Sequence, residues 1–152
     1  MKVKDIYTRG AVHIPQTCNL QEAAEQMRRQ HVGALVVTDG DAGLLGIVTD
    51  RDMVLRALAA GASPRDTLVG DVMTSGTLGV SEDAGLDDAM QAMSSHGVRR
   101  LAVTGADGRV LGMVALDDLI EAQGREIALL TSILGREQQR ERSGSVQSPL
   151  HP

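Results

Sequence analysis

The sequence predicts an α+β fold, two tandem β-α-β-β-α repeats followed by a C-terminal helix. Three observations predict it. The chain matches itself at a separation of 66 residues without a gap. Each copy carries apolar residues at i, i+3, i+4 and i+7 after a short apolar run. Each copy then holds two more apolar runs joined by a turn rich in Gly and Asp.

The self-match pairs Asp5 with Asp71, Thr8 with Thr74, Leu20 with Leu86, Ala23 with Ala89 and Met27 with Met93. It continues through Val32 and Val98, Leu35 and Leu101, Val37 and Val103, Gly46 and Gly112, Val48 and Val114, and Asp52 and Asp118. Within each copy "AVHIP" and "TLGVS" read as the first strands. The first helices follow, with Leu20, Ala23, Ala24 and Met27 on one face in copy one and Leu86, Ala89, Met90 and Met93 in copy two. "ALVVT" and "RLAVT" read as second strands, "DGDAG" and "GADG" as turns, and "LLGIV" and "VLGMV" as third strands. "RDMVLRALAA" and "LDDLIEAQ" read as the closing helices.

This divides the chain into repeat one over 1–60, a linker over 61–67 ("GASPRDT") and repeat two over 68–123. One copy of about 55 residues is small for an independent core, so the two copies are expected to pack together. A further helix is expected over 124–142, with Ile127, Leu130, Ile133 and Leu134 sharing one face. That face either packs on the body of its own chain or forms a dimer contact. The polar stretch 143–152 is expected to be disordered.

Composition narrows the function classes. The chain has 152 residues, 42% of them hydrophobic and 23% charged, a globular composition. A net charge of -5 and a pI near 5.3 argue against general nucleic-acid or anionic-membrane binding. With one Tyr, no Phe and no Trp, aromatic platforms for single strands are missing. The single Cys18 cannot close an internal disulfide, which fits a reducing, cytoplasmic setting. "MKVKDIYTRG" lacks the apolar core of a signal peptide, and no apolar run approaches a membrane span.

The doubled pattern resembles a family. "DI" and "DVMT" open the copies, "GALVV" and "VRRLAV" mark a strand, and "GIVTDRD" closes copy one. Together they are similar to the CBS-domain pair (cystathionine β-synthase domains) over roughly Val3 to Ala122, in its small stand-alone form without an enzyme or transporter domain. The resemblance implies a flat, pseudo-two-fold module that pairs with a second copy into a disk. It also implies clefts between the repeats for adenosine compounds: AMP, ADP, ATP or S-adenosylmethionine.

The family's ligand signature falls here on Gly46, Thr49 and Asp52. Its chemistry can be stated without the family. One carboxylate can accept hydrogen bonds from both hydroxyls of a ribose, which suits Asp52. A hydroxyl at a strand end, beside the free N–H groups of a helix start, can hold a phosphate oxygen, which suits Thr49. Arg99 and Arg100 supply guanidinium groups, the preferred partners of phosphate. The resemblance implies that these arginines face the Thr49 and Asp52 set across the cleft. It also implies that adenine lies against Ile47, Val98 and the segment Gly76, Thr77, Leu78. Copy two keeps Asp118 but has Ala115 for the threonine, and Gly33 and Ala34 stand where the facing arginines would be. A weak or adenosine-only second site is therefore expected at Asp118.

A plainer reading stands beside this one. Thr49 with Asp52 three residues on is close to a helix capping box and needs no ligand. Copy two makes the same turn with Ala115, so the hydroxyl is not required for the fold there. His31 and His96 stand near helix ends, where they suit the helix dipole. Together with His13 and Cys18 they form no metal-ligand spacing, and no nucleophile–base pair is recognisable. The expectation is a non-catalytic regulatory module that binds an adenine nucleotide, works as a homodimer and signals to an effector protein not identified by the sequence. The alternative is a protein-interaction scaffold without a small-molecule ligand. No metal and no cofactor is expected.

Overall fold

The computed structural model describes residues 1–10, 13–76 and 79–143. The chain falls into two compact units, residues 1–116 and 117–152. The first unit holds repeat one and repeat two as far as its last strand. Its elements are a 3₁₀ turn (Val3–Asp5), β1 (Thr8–Arg9), β2 (His13–Pro15), α1 (Leu20–Gln30), β3 (Ala34–Thr38) and β4 (Leu44–Thr49). α2 (Asp50–Asp52) runs on into a π-helix (Met53–Leu58). Then come α3 (Val69–Val72), β5 (Thr74–Ser75), β6 (Gly79–Ser81), α4 (Leu86–His96), β7 (Arg100–Thr104) and β8 (Val110–Ala115). α5 (Leu116–Arg142) makes up the described part of the second unit.

Two four-stranded sheets form, in the orders β2-β3-β4-β5 and β1-β8-β7-β6. Each contains the expected hairpin, β3 with β4 and β7 with β8, with a bulge at Val37/Thr38 and at its counterpart Val103/Thr104. The turn of the first hairpin is tied by the Asp39 carboxylate, which accepts from the N–H groups of Asp41 and Gly43, both at 2.9 Å. In the second, Asp107 accepts from the N–H of Arg109 at 3.0 Å.

The sheets do not follow the boundaries read from sequence. β1, from the start of repeat one, pairs with β8 of repeat two, while β5 pairs with β4 of repeat one. The segments before them cross as well. The Val3 N–H donates to Ala84 O at 2.9 Å, and the Val69 N–H donates to Cys18 O at 2.8 Å. Each repeat thus lends its first residues to the other's sheet, at equivalent positions. Two-residue strands are too short to show a period-2 pattern, so nothing in the sequence announces this exchange. The repeats also meet at their turns, where the Val110 N–H donates to Ala42 O at 3.3 Å.

The exchange explains two glycines. A Cβ on Gly46 would overlap the Thr74 carbonyl, and one on Gly112 would overlap the Thr8 carbonyl and the Tyr7 ring. Both lie where a crossing strand comes in close.

The helices follow the predicted spacing with one exception. Leu20, Ala23 and Met27 are buried on α1, as are Leu86, Ala89 and Met93 on α4, but Ala24 is exposed. Asn19 and Glu22 cap α1 reciprocally: Glu22 N–H to Asn19 Oδ1 at 2.9 Å, and Asn19 N–H to Glu22 Oε2 at 3.3 Å. His96 Nδ1 donates to the Ala92 carbonyl at 2.8 Å, in the last turn of α4. His31 caps the C-terminus of α1 at φ 54, a left-handed conformation that Gly97 takes at the same place in repeat two. A side chain there costs about 1 kcal/mol, so His31→Gly is expected to stabilise the fold by about that amount and raise Tm by roughly 2–4 °C in a thermal melt.

α5 is a single helix, where the sequence reading split it at Gly124 into a closing helix of repeat two and a separate helix over 124–142. A lone glycine costs a helix only about 1 kcal/mol, and no proline or cap interrupts the run. Ile120, Ile127, Leu129, Leu130, Ile133 and Leu134 are all exposed, at 60–67%. The stretch 144–152 lies outside the described residues, and so do Thr77 and Leu78.

Candidate functional site

Thr49 ends β4 and Asp52 follows on the first helical turn. The capping box exists: the Asp52 N–H donates to Thr49 Oγ1 at 3.1 Å, and the Thr49 N–H donates to Asp52 Oδ2 at 3.0 Å. The plain structural reading of this pair is thus realised. It does not exhaust the carboxylate. Oδ2 accepts one N–H, and Oδ1 has the Arg56 guanidinium Nε at 3.9 Å, while the side chain retains 16% of its exposure. Lone pairs remain on both oxygens for further donors.

A small apolar cluster joins the two repeats beside this turn. Ala34 and Ile47 of repeat one are buried together, with Val98 and Met113 of repeat two packed against them. Ile47 and Thr49 are two positions apart on β4, and Ala34 is the cross-strand partner of Thr49. Val98 is likewise two positions from Arg100, which opens β7. Thr49 and Arg100 therefore flank one cluster from opposite repeats. Arg100 is half-buried, and among the described residues no carboxylate lies within ion-pair distance of it. Arg99 stands exposed just before β7, and its carbonyl accepts from the Leu116 N–H at 2.8 Å.

Gly76 follows β5, whose Ser75 pairs with Gly46 and whose Thr74 pairs with Ile47. From Gly46 to Thr49 is three residues, about 10 Å of strand. Ile47 lies between the Gly76 end and the Thr49 end. Gly76 has φ +109, which a side chain rarely adopts. Of the residues read from sequence, Ile47 and Val98 thus fall in one apolar cluster, and Thr49 and Asp52 are brought into mutual hydrogen bonds. Asp118 lies in the first turn of α5. Gly46 belongs to the sequence signature, but its demonstrated job is to admit β5. Arg56 was missed by sequence reading. Its signal was available, a basic residue four after Asp52 on one helix.

Other chemistry-bearing groups stand apart. A groove of about 460 Å³ runs between β2 and α1, lined by His13, Ile14, Pro15, Cys18, Glu22 and Glu25 among others, and shares no residue with the set above. Burial first, then the nearby Glu22, pushes the Cys18 thiol up, which keeps it protonated and poorly nucleophilic. Among the described residues no cluster of three His, Cys, Asp or Glu side chains is placed to hold a metal ion. No helix among them is long and apolar enough to cross a membrane.

Two exchanged β-α-β-β-α repeats joined by a shared apolar cluster define a class, a tandem-repeat module. The CBS-domain model matches residues 3–58 and 69–125, and the chain belongs to the CBS-domain family. The Bacillus subtilis protein YlbB is 40% identical over 119 residues, covering 78% of this chain and 79% of that one. Among solved structures, the CBS-domain pair of MJ0100 in complex with 5′-methylthioadenosine and S-adenosyl-L-methionine superposes with a TM-score of 0.74 at 25% identity, covering 83% of this chain and 98% of that one. CBSX2 in complex with AMP gives 0.68 at 27% identity, covering 82% and 96%. CBS pairs are typically regulatory modules that bind adenosine ligands rather than catalysts.

Proposed function

We propose that this chain is a non-catalytic sensor module that binds an adenine nucleotide, AMP, ADP or ATP, at one principal site per chain. The observation that carries the reading is the apolar cluster that joins Ala34 and Ile47 of repeat one with Val98 and Met113 of repeat two, flanked by Thr49 and Asp52 on one side and Arg100 on the other. Asp52 accepts from the ribose hydroxyls. Thr49, Arg99 and Arg100 take the phosphate, and the adenine lies against Ile47, Val98 and the segment from Gly76 through Thr77 to Leu78. The asymmetry between copies favours this site. By the 66-residue match, repeat two has Ala115 in place of the hydroxyl, and Gly33 and Ala34 stand at the positions equivalent to the arginines, so Asp118 serves as a weak, adenosine-only site. Calorimetry with AMP, ATP and S-adenosylmethionine tests the reading: a saturable heat with a phosphorylated adenosine supports it, and no heat with any of the three ends it. For a signal, the nucleotide must prefer one conformation of the module over another, and an effector protein must read the difference.

The module acts as a homodimer, as the resemblance implied. Val54, Leu55 and Leu58 on the π-helix are 51%, 55% and 73% exposed, an apolar face that a second copy would cover. Because these side chains are outside the core, the double change Leu55→Glu with Leu58→Glu is expected to leave the fold intact and to convert a dimer to a monomer by light scattering. A monomeric wild type would contradict this. A second reading, an interaction scaffold without a small molecule, rests on the exposed apolar residues of α5. A thermal melt separates the two, since a nucleotide bound only to the native state raises Tm.

A further inference from the structure

We infer that Arg56 is a positioning residue that ties the Asp52 carboxylate to the crossing segment Val72–Gly76, so that occupancy at Asp52 and order in that segment are linked. Arg56 reaches both. Its Nε stands 3.9 Å from Asp52 Oδ1, and its Nη1 donates to the carbonyls of Val72 at 3.3 Å and Met73 at 3.2 Å. Those two carbonyls lie at the end of α3, where helix geometry leaves them without partners of their own. One guanidinium thus spans from the candidate ribose carboxylate in repeat one to the chain about to enter β5.

That chain is not a passive connection. Thr74 and Ser75 pair with Ile47 and Gly46, and the next residue is Gly76. The same few residues that Arg56 steadies therefore lie along the strand that carries Ile47. Repeat two offers the control. The position equivalent to Arg56 is Ala122, just as Ala115 stands for Thr49. The arginine occurs only in the copy that has the complete Thr and Asp pair.

A bland alternative is that Arg56 only caps α3. The two differ in whether Asp52 matters to the segment. The link rests on the reading that Asp52 receives the ribose only in its ligand-bound part; its ligand-free part stands alone. Hydrogen–deuterium exchange of the full chain, read on peptides covering Val69 to Gly76, decides between them. Asp52→Asn keeps a carbonyl for the Thr49 N–H and removes the charge. In the ligand-free protein it is expected to speed exchange of the segment about 2- to 5-fold, and to add nothing in an Arg56→Met background. AMP, at concentrations that saturate each variant, is expected to slow exchange there in wild type and to slow it less in Arg56→Met. An equal response to Asp52→Asn with and without Arg56, or undiminished slowing by AMP in Arg56→Met, would overturn the inference. If AMP gives no calorimetric heat, the site reading falls, and the ligand-free comparison still decides the role of Arg56.

Discussion

Asp52→Ala is expected to weaken AMP binding about 10- to 150-fold. The change removes one or two charge-assisted hydrogen bonds to the ribose, worth about 1.5–3 kcal/mol. The fold should survive it. The box would lose its carboxylate, yet the Thr49 hydroxyl keeps its partner, the N–H of residue 52. The lost cap costs about 1 kcal/mol, a Tm change of roughly 2–4 °C. The control is Asp118→Ala, which should leave the principal affinity unchanged. Calorimetry measures both. If the two variants weaken AMP equally, the asymmetry argued from Ala115 and the arginines is wrong.

The largest stability effect is expected from Gly46→Ala. The added methyl meets the Thr74 backbone carbonyl, with the Met73 sulfur at 3.1 Å behind it. A carbonyl in a paired strand cannot swing aside as a flexible side chain can. Overpacking of this kind costs about 3 kcal/mol, a Tm loss of roughly 6–12 °C for a chain of this length. Gly112→Ala should behave alike, because the Thr8 carbonyl and the Tyr7 ring occupy the same space in repeat two. That pairing makes the test sharp. A packing role predicts similar losses at both glycines, whereas a ligand role for Gly46 alone predicts an unchanged Tm with lost nucleotide binding.

The duplication made most of the fold legible. Two copies of the same spacing fixed the helices at Leu20 and Leu86 and the hairpins at "ALVVT" and "RLAVT", because buried faces leave a period in the sequence. The exchange of β1 and β5 left no such trace. Their two residues each are chosen by what they cross, and the only mark is a glycine on the strand they approach, Gly46 or Gly112. The break assumed at Gly124 had a related cause: a single glycine reads as punctuation, although a long run of good helix formers carries the helix through it. The site divides the same way. Thr49 and Asp52 were readable because a cap and a ligand signature share one spacing, which is also why the sequence left both readings open. The cluster of Ala34, Ile47, Val98 and Met113 needed the fold, since it joins residues from different repeats. Arg56 could be placed by its helical spacing from Asp52, but its carbonyl partners at Val72 and Met73 belong to the crossing segment and only the structure reveals them.

The central claim is one principal nucleotide site per chain, built on Asp52. A crystal structure of the protein with AMP tests it most directly. Ribose is expected at Asp52, with phosphate between Thr49 and the arginines at 99 and 100, and little or no nucleotide at Asp118. Equal occupancy at the two aspartates, or AMP bound away from both, would contradict it.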